Sequence, residues 1–521
     1  MNKLKKILND LENKNITASQ WIITILVVIL FRTIGEDFYS SKKIIDYFEY
    51  FFHYPIYYIS IALFIILIIS FFAKEKPIKV GKVLIHFWPI VIIPPIFDLI
   101  ISASKAYDYS YIFNNFNFYF KNLFNFPVFL EGITYGIRLE LLLATVSVAA
   151  YVYIKKQKIL SSVLAASLFY VGIFGFIAFP YLAYHITIIP NFPLKDIYFL
   201  HNPIGSAGMS QSLTYYSAFN VVAILFLLIL AIKQNHKKTF SLIANSSKKS
   251  FHYLLMFGFG LYLAYKIKTN LFLFDINILT QFLNAFFAVV LAWVSATTLN
   301  DVYDIESDKV SDDRKLLPKG IFSREEFIKI SIISFVLSLL NAFAISYQFL
   351  IYILLYHAIS FIYSSPPLRL KKIPIVSTFV VASLAISMMW AGYAFSSATR
   401  FNPITEFPVA ITFTFVILFT LGFSFKDLKD LEGDKKQGVF TIPMFFKGRE
   451  KEATSLLIVL CYMIVPFIFK NAFLAIPSII ASFFTHAFIN AKVFRENRVY
   501  FTFFAYFICL VVMDYYLNFL R

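Results

Sequence analysis

Two short acidic segments carry residue types whose spacing can do chemistry. The first reads Asn300-Asp301-Val302-Tyr303-Asp304-Ile305-Glu306-Ser307-Asp308, the second Lys426-Asp427-Leu428-Lys429-Asp430-Leu431-Glu432-Gly433-Asp434. Both follow the pattern D-x-x-D-x-E-x-D, and a lysine comes next in each (Lys309, Lys435). On a helix turning about 100° per residue, positions 0, 3 and 7 fall within about 60° of one another, whereas position 5 points about 140° from the first. Asp301, Asp304 and Asp308 are therefore expected on one face, and Asp427, Asp430 and Asp434 on another, the first set more firmly because Gly433 can break the second helix. Three carboxylates on one face repel each other unless a cation sits among them. Mg²⁺ suits them: it is hard, takes oxygen ligands, and is usually held by one or two carboxylates together with substrate phosphates. Two such faces on one side of a membrane would clamp a diphosphate through bridging ions. A solvated acidic loop is the plainer account of either motif alone, but the same spacing twice, each time closing a long apolar run, argues against it. Zinc lacks nearby His or Cys ligands, and no G-x-x-x-x-G-K-[S/T] phosphate loop occurs.

The elements that must hold these carboxylates are membrane-spanning helices. Of 521 residues, 59% are apolar and only 15% charged, where soluble domains carry about 25% charged residues. Apolar runs reach the roughly 20 residues a helix needs to cross a bilayer. Six spans are expected in the first part, at about 17–33, 49–73, 83–104, 132–154, 159–187 and 214–232. Nine follow, at about 252–267, 276–299, 324–346, 347–363, 374–397, 406–425, 451–470, 472–492 and 499–519. The expected fold is an all-α integral membrane protein. Its domains are an N-terminal membrane domain (1–233), a basic cytoplasmic linker (234–250, QNHKKTFSLIANSSKKS) and a nine-span C-terminal domain (251–521). Clusters such as Lys3/Lys5/Lys6, Lys74/Lys76/Lys79/Lys82 and Lys155/Lys156/Lys158 alternate with lysine-poor loops, which puts the N-terminus and both acidic motifs on the cytoplasmic side. The same rule accounts for the net charge of +17 without nucleic acid. The N-terminus is polar and leads into a span expected to remain as an anchor, not a cleaved signal. Cys461 and Cys509 lie in apolar segments and are expected to be inert thiols.

Four motifs, in order, resemble the UbiA family of intramembrane prenyltransferases across about residues 251–521. They are the two acidic segments, the Asp313-Arg314-Lys315-Leu316-Leu317-Pro318-Lys319-Gly320-Ile321-Phe322-Ser323 loop (similar to R-P-L-P-S-G-x-x-S), and Tyr363-Ser364-Ser365-Pro366-Pro367-Leu368-Arg369-Leu370-Lys371-Lys372 (similar to Y-S-x-P-P-x-R-x-K-R). The chain departs from the pattern at Lys315 (usually Arg), Leu316 (usually Pro) and Lys319 (usually small). Because Lys and Arg differ at bidentate phosphate contacts, Lys315 is left out of the expected site.

The resemblance implies a nine-helix bundle around a central cavity and a Mg²⁺-dependent transfer of a prenyl group from an isoprenyl diphosphate to a lipophilic acceptor. Asn300, Asp301, Asp304 and Asp308 would hold one Mg²⁺, and Asp427, Asp430 and Asp434 a second. Arg314, Arg369, Lys371 and Lys426 would contact the diphosphate, with Tyr363 as a hydrogen-bond donor, although a topology signal accounts equally for Arg369, Lys371 and Lys372. The acceptor classes implied are an aromatic quinone precursor or a glycerol-type lipid. The rival reading is a polytopic transporter or lipid flippase with an acidic cation site, which would show paired broken helices in two related halves; no such repeat is visible. The N-terminal domain carries neither motif. Within it, Asp98 and Arg138 are expected to form an internal ion pair, with Glu140 and His185 as further polar residues near spans.

Overall fold

The computed structural model describes residues 2–39, 49–102, 134–185, 207–268, 276–311, 315–373, 375–396, 407–429, 431 and 440–519. Among these residues there is no strand, and fourteen helices are long and apolar enough to cross a membrane, with a shorter apolar helix at Ser250–Ala264. The chain is an integral, multi-pass membrane protein. In order the helices are α1 (Asn2–Asn13), α2 (Ala18–Tyr39), α3 (Tyr54–Ala73), α4 (Pro77–Phe87), α5 (Ile93–Ser102), α6 (Tyr135–Lys156), α7 (Ile159–His185) and α8 (Ala207–Lys268). There follow α9 (Ile276–Ser311), α10 (Arg324–Phe343), α11 (Tyr347–Ser364), α12 (Val376–Ser396), α13 (Val409–Gly422), α14 (Glu450–Ile468), α15 (Ala475–Ile489) and α16 (Glu496–Phe519).

The chain forms two compact units, one from residues 1–199, 204–240 and 273–284, the other from 200–203, 241–272 and 285–521. The segment expected as a linker, 234–250, is helical within α8 apart from Asn235, whose φ of −159° and ψ of 90° interrupt the helix. The third span, expected at 83–104, is present at Pro77–Ile101, where two α-helices join through a 3₁₀ turn at Trp88–Ile92. Pro89, Pro94 and Pro95 each remove a backbone donor and crowd the preceding turn, which rules out one uninterrupted helix.

In the first unit the ordering charge is Arg32 of α2, which is 2% exposed. Its Nε donates to Glu36 Oε1 at 2.8 Å, and its Nη1 donates to Glu140 Oε2 at 2.6 Å and to the Val91 carbonyl at 2.9 Å. Its guanidinium also lies over the Tyr58 ring, 5.1 Å from the centroid. A buried charge persists only when paired and hydrogen-bonded, and this one is. Asp98, expected as the partner of Arg138, accepts the Gly136 N–H through Oδ1 at 2.8 Å, at the start of α6. Thr134 caps that start by accepting the Ile137 N–H, satisfying one of the orphan donors of the first turn. The side chain of His185 lies outside the described residues.

The second unit has an aromatic-rich core built from α8–α16, including Phe257, Phe259, Phe349, Tyr356, Tyr393 and Phe415. Glycines set one helix crossing. A Cβ on Gly260 would meet the Met389 carbonyl, and one on Gly392 would meet the Phe257 carbonyl, so α8 and α12 approach backbone to backbone at this point.

Candidate active site

α9 carries the first acidic motif past its apolar stretch, and the helix continues through Ser311. Because the helix is intact there, the 0/3/7 spacing holds: Asp301, Asp304 and Asp308 are buried, at 7%, 8% and 6% exposure. Glu306 points away as expected, with a side chain 82% exposed and paired to Lys309.

A small core fixes what faces these carboxylates. Val302, Leu316, Leu317, Phe322 and Phe327 are buried together, which presses the 315–322 loop against α9. The loop turns at Gly320, whose φ of 69° favours glycine. Gly320 N–H donates to the Leu317 carbonyl at 2.9 Å. α10 then starts with a capping box in which Ser323 and Glu326 satisfy each other's backbone N–H groups. Lys315, at the root of this loop, reaches back to the acidic face. Its Nζ is 2.8 Å from Asp308 Oδ2 and 3.3 Å from Asp301 Oδ1. Burial disfavours the ammonium, but the two carboxylates outweigh it and hold Lys315 above the ordinary lysine value. Burial raises the Asp308 carboxyl above its ordinary range, against the opposing pull of Lys315. Lys315, outside the site expected from sequence because it is not Arg, thus contacts two of the expected site residues from its place in the loop.

The end of α11 supplies the other wall. Ser364 Oγ donates to Asn300 Oδ1 at 2.9 Å, and Lys371 Nζ lies 3.4 Å from the same oxygen. Past Pro366-Pro367 the chain turns back through Arg369, in the left-handed region at φ 43°, into a 3₁₀ turn at Leu370–Lys372. That turn aims two cations at one carboxylate: Arg369 Nη2 donates to Asp304 Oδ1 at 2.8 Å, and Lys371 Nζ pairs with the same oxygen.

Tyr363, next to Ser364, links this wall to the second motif. Lys426 Nζ donates to Tyr363 Oη at 3.2 Å, sits 5.6 Å from the centre of its ring, and lies 3.7 Å from Asp427 Oδ1. The second motif differs from expectation in its helix: α13 ends at Gly422, and Phe423–Leu428 forms a 3₁₀ turn. At three residues per turn the 100° step no longer applies, so the shared face predicted for Asp427, Asp430 and Asp434 does not follow from α-helical spacing. Asp430, Asp434 and Arg314 lie outside the described residues.

The structure therefore lines one face of α9 with two contact sets, Asp301 and Asp308 with Lys315, and Asn300 and Asp304 with Ser364, Arg369 and Lys371. Tyr363, next to Ser364, extends the second set to Lys426 and Asp427. Among the described residues no three His, Cys, Asp or Glu side chains converge closely enough to hold a metal by themselves. The donor set of Asn300 and the three α9 aspartates is all oxygen, and a lysine ammonium already occupies the position between Asp301 and Asp308. Those features fit a hard divalent ion that completes its shell with phosphate oxygens, and not one held in an all-protein cage.

Residues 253–510 match the model of the UbiA prenyltransferase family. The C-terminal half belongs to the UbiA prenyltransferase family. No family model matches the N-terminal half. This UbiA half is similar to the digeranylgeranylglyceryl phosphate synthase of Methanocaldococcus jannaschii, 28% identical over 39% of this chain and 68% of that protein. It is also similar to the enzymes of the same name from Thermococcus gammatolerans (26% identical, over 38% of this chain and 63% of that protein) and Sulfolobus acidocaldarius (32%, over 28% and 50%). The matched stretch thus spans between half and about two thirds of these relatives. A UbiA homolog from Archaeoglobus fulgidus, solved bound to GPP and Mg²⁺, aligns with 51% of this chain and 97% of its own at 22% identity and a TM-score of 0.38.

Proposed function

We propose that the UbiA half ionises an isoprenyl diphosphate with the aid of Mg²⁺ and passes the prenyl group to a lipophilic acceptor. The observation that carries this reading is the convergence of Lys315, Arg369 and Lys371 on the buried α9 carboxylates, with Tyr363, Lys426 and Asp427 alongside. A site holding so many cations over carboxylates is poised to exchange those carboxylates for a metal-bound, highly anionic ligand. Asn300, Asp301, Asp304 and Asp308 would hold one ion, and Asp427 with Asp430 and Asp434 a second. Held there, Mg²⁺ would supply positive charge to offset that of the departing pyrophosphate.

Arg369, Lys371 and Lys426 are the direct diphosphate contacts in this reading, with Arg314 and Tyr363 assisting and Lys315 added to them. In the reaction the C1–O bond of the donor breaks and its electron pair leaves with pyrophosphate. The acceptor nucleophile bonds to C1 and gives up a proton. The cations stabilise the leaving group as its charge develops, and the surrounding apolar helices keep water from the allylic carbocation. Tyr253, its ring centre 5.1 Å from that of Trp293 in a tilted arrangement and 5.2 Å from that of Tyr356 edge to face, belongs to an aromatic cluster of the kind whose π faces attract a cation.

The relatives' names favour a glycerol-type lipid acceptor over an aromatic quinone precursor. The alternating lysine clusters support a cytoplasmic N-terminus and cytoplasmic acidic motifs, and the boundary between the N-terminal domain and the UbiA half falls near 234–250. The test is Mg²⁺-dependent pyrophosphate release from geranylgeranyl diphosphate by the full chain in bilayers, with archaeal-type glycerol lipid precursor or a quinone precursor as acceptor. Asp304→Asn is expected to cut release by about 100-fold or more, the scale of losing one charge-stabilising group. Undiminished release by a folded Asp304→Asn protein would refute the assignment.

A further inference from the structure

The first unit encloses a cavity of about 240 Å³ that prenyl transfer does not use. Its walls are apolar and run along helices. Tyr57, Ile61, Ile65 and Ile69 line it from α3, and Ala144 and Val148 from α6. The α3 residues recur every fourth position, so they form one stripe about 18 Å long at 1.5 Å per residue. At about 30 Å³ per water-sized unit the space holds about eight such units. With that stripe as one wall, the cavity suits one extended chain.

Polar groups lie among these apolar walls. Arg32 and Glu140 line the cavity, Arg32 being fully engaged by Glu36, Glu140 and the Val91 carbonyl. Glu140 keeps 16% exposure where Arg32 keeps 3%, so the carboxylate is the accessible member of the pair. Trp88, 2% exposed, also lines the cavity. Its indole N–H has no hydrogen-bond partner among the described residues, a costly omission for a buried donor unless a ligand supplies the acceptor.

We infer that this cavity binds a single-chain lipid with a neutral hydroxyl head, which accepts from Trp88 Nε1–H and donates to Glu140. The charges decide the head group. Arg32 is already paired with Glu36 and Glu140, so an anionic head would meet an engaged guanidinium and the Glu140 carboxylate. An ammonium would satisfy Glu140 but leave Trp88 without an acceptor. A hydroxyl is both donor and acceptor and answers both needs. The inference concerns the half that no family model matches and is independent of the prenyltransferase reading.

The experiment uses the full chain in lipid nanodiscs and a ten-carbon primary alcohol carrying a mid-chain diazirine. After photolysis the labelled peptides are located by mass spectrometry, with decanol, decane, decanoate and decylamine as competitors. The expected result is saturable labelling of α3 and α6 peptides, displaced by decanol and at least tenfold less well by the other three. Trp88→Phe keeps an aromatic ring and removes the donor; it is expected to weaken decanol competition about three- to tenfold, the value of one neutral hydrogen bond. Ala144→Phe, which fills the space, is expected to abolish labelling. Melting curves identify any variant that fails to fold. Equal displacement by decane would overturn the inference in favour of an apolar void filled by bilayer lipid. Stronger displacement by decylamine or decanoate would overturn the hydroxyl assignment, and labelling that neither saturates nor responds to Ala144→Phe would remove the site altogether.

Discussion

Lys315→Met tests whether the lysine is a stand-in for a metal ion or simply a structural tie. Its ammonium lies 2.8 Å from Asp308 and 3.3 Å from Asp301, with the lysine side chain 31% exposed and the carboxylates 8% and 10%. A hydrogen bond to a charged group contributes about 1.5–3 kcal/mol. The longer contact and the partial exposure reduce the pair to about 2 kcal/mol in total. In a cooperative unit of 150–250 residues each kcal/mol moves the melting temperature by about 2–4 °C, so the metal-free variant is expected to melt about 5 °C below the parent. Divalent metal narrows the difference. A ligand at 100 times its Kd adds about 2.7 kcal/mol, and in the variant it enters without displacing an ammonium. The deficit seen in EDTA should therefore close by at least half in millimolar Mg²⁺, as read by intrinsic fluorescence during a thermal ramp. A deficit of the same size with and without Mg²⁺ would refute the reasoning and make Lys315 a structural tie only.

Three further outcomes follow from the same structure. Gly392→Ala places a Cβ against the Phe257 carbonyl and forces α8 and α12 apart; a loss of about 1–3 kcal/mol is expected, seen as a lower melting temperature, while a substitution at open Gly422 should cost less. Arg32→Met leaves Glu36 and Glu140 buried without their cation and should destabilise the first unit by about 3–5 kcal/mol, measured as protease sensitivity of that unit; adding Glu140→Gln should recover part of it. Asp308, raised by burial, gives opposite pH trends in metal-free and metal-bound protein. Without metal, its contribution to stability is present below the ordinary carboxylate range of about 4 and is lost as pH rises through the raised folded value. Mg²⁺-dependent stabilisation needs the ionised form and should appear across that same window, which melting curves in EDTA and in Mg²⁺ from acid to neutral pH will separate.

Much of this protein was legible before any coordinates, because its signals are local. Long apolar runs must satisfy their backbone as helices in a bilayer, and the 0/3/7 spacing puts Asp301, Asp304 and Asp308 on one face wherever a helix is unbroken. Both hold in α9. Where the backbone departed from an α-helix, the same arithmetic stopped applying: α13 gives way to a 3₁₀ turn before Asp427, and three prolines split the third span. Partnerships between distant residues were beyond the sequence altogether. Charge and spacing did not say that Lys315 would bridge two aspartates, that Arg369 and Lys371 would share Asp304, or that Arg32 would take Glu140 from a helix more than a hundred positions away. Nor did they disclose a cavity beside a Trp88 N–H that has no partner among the described residues. Helix formation depends on a residue's own neighbours along the chain, whereas ion pairing and cavity shape depend on which helices pack together, and only the tertiary structure decides that.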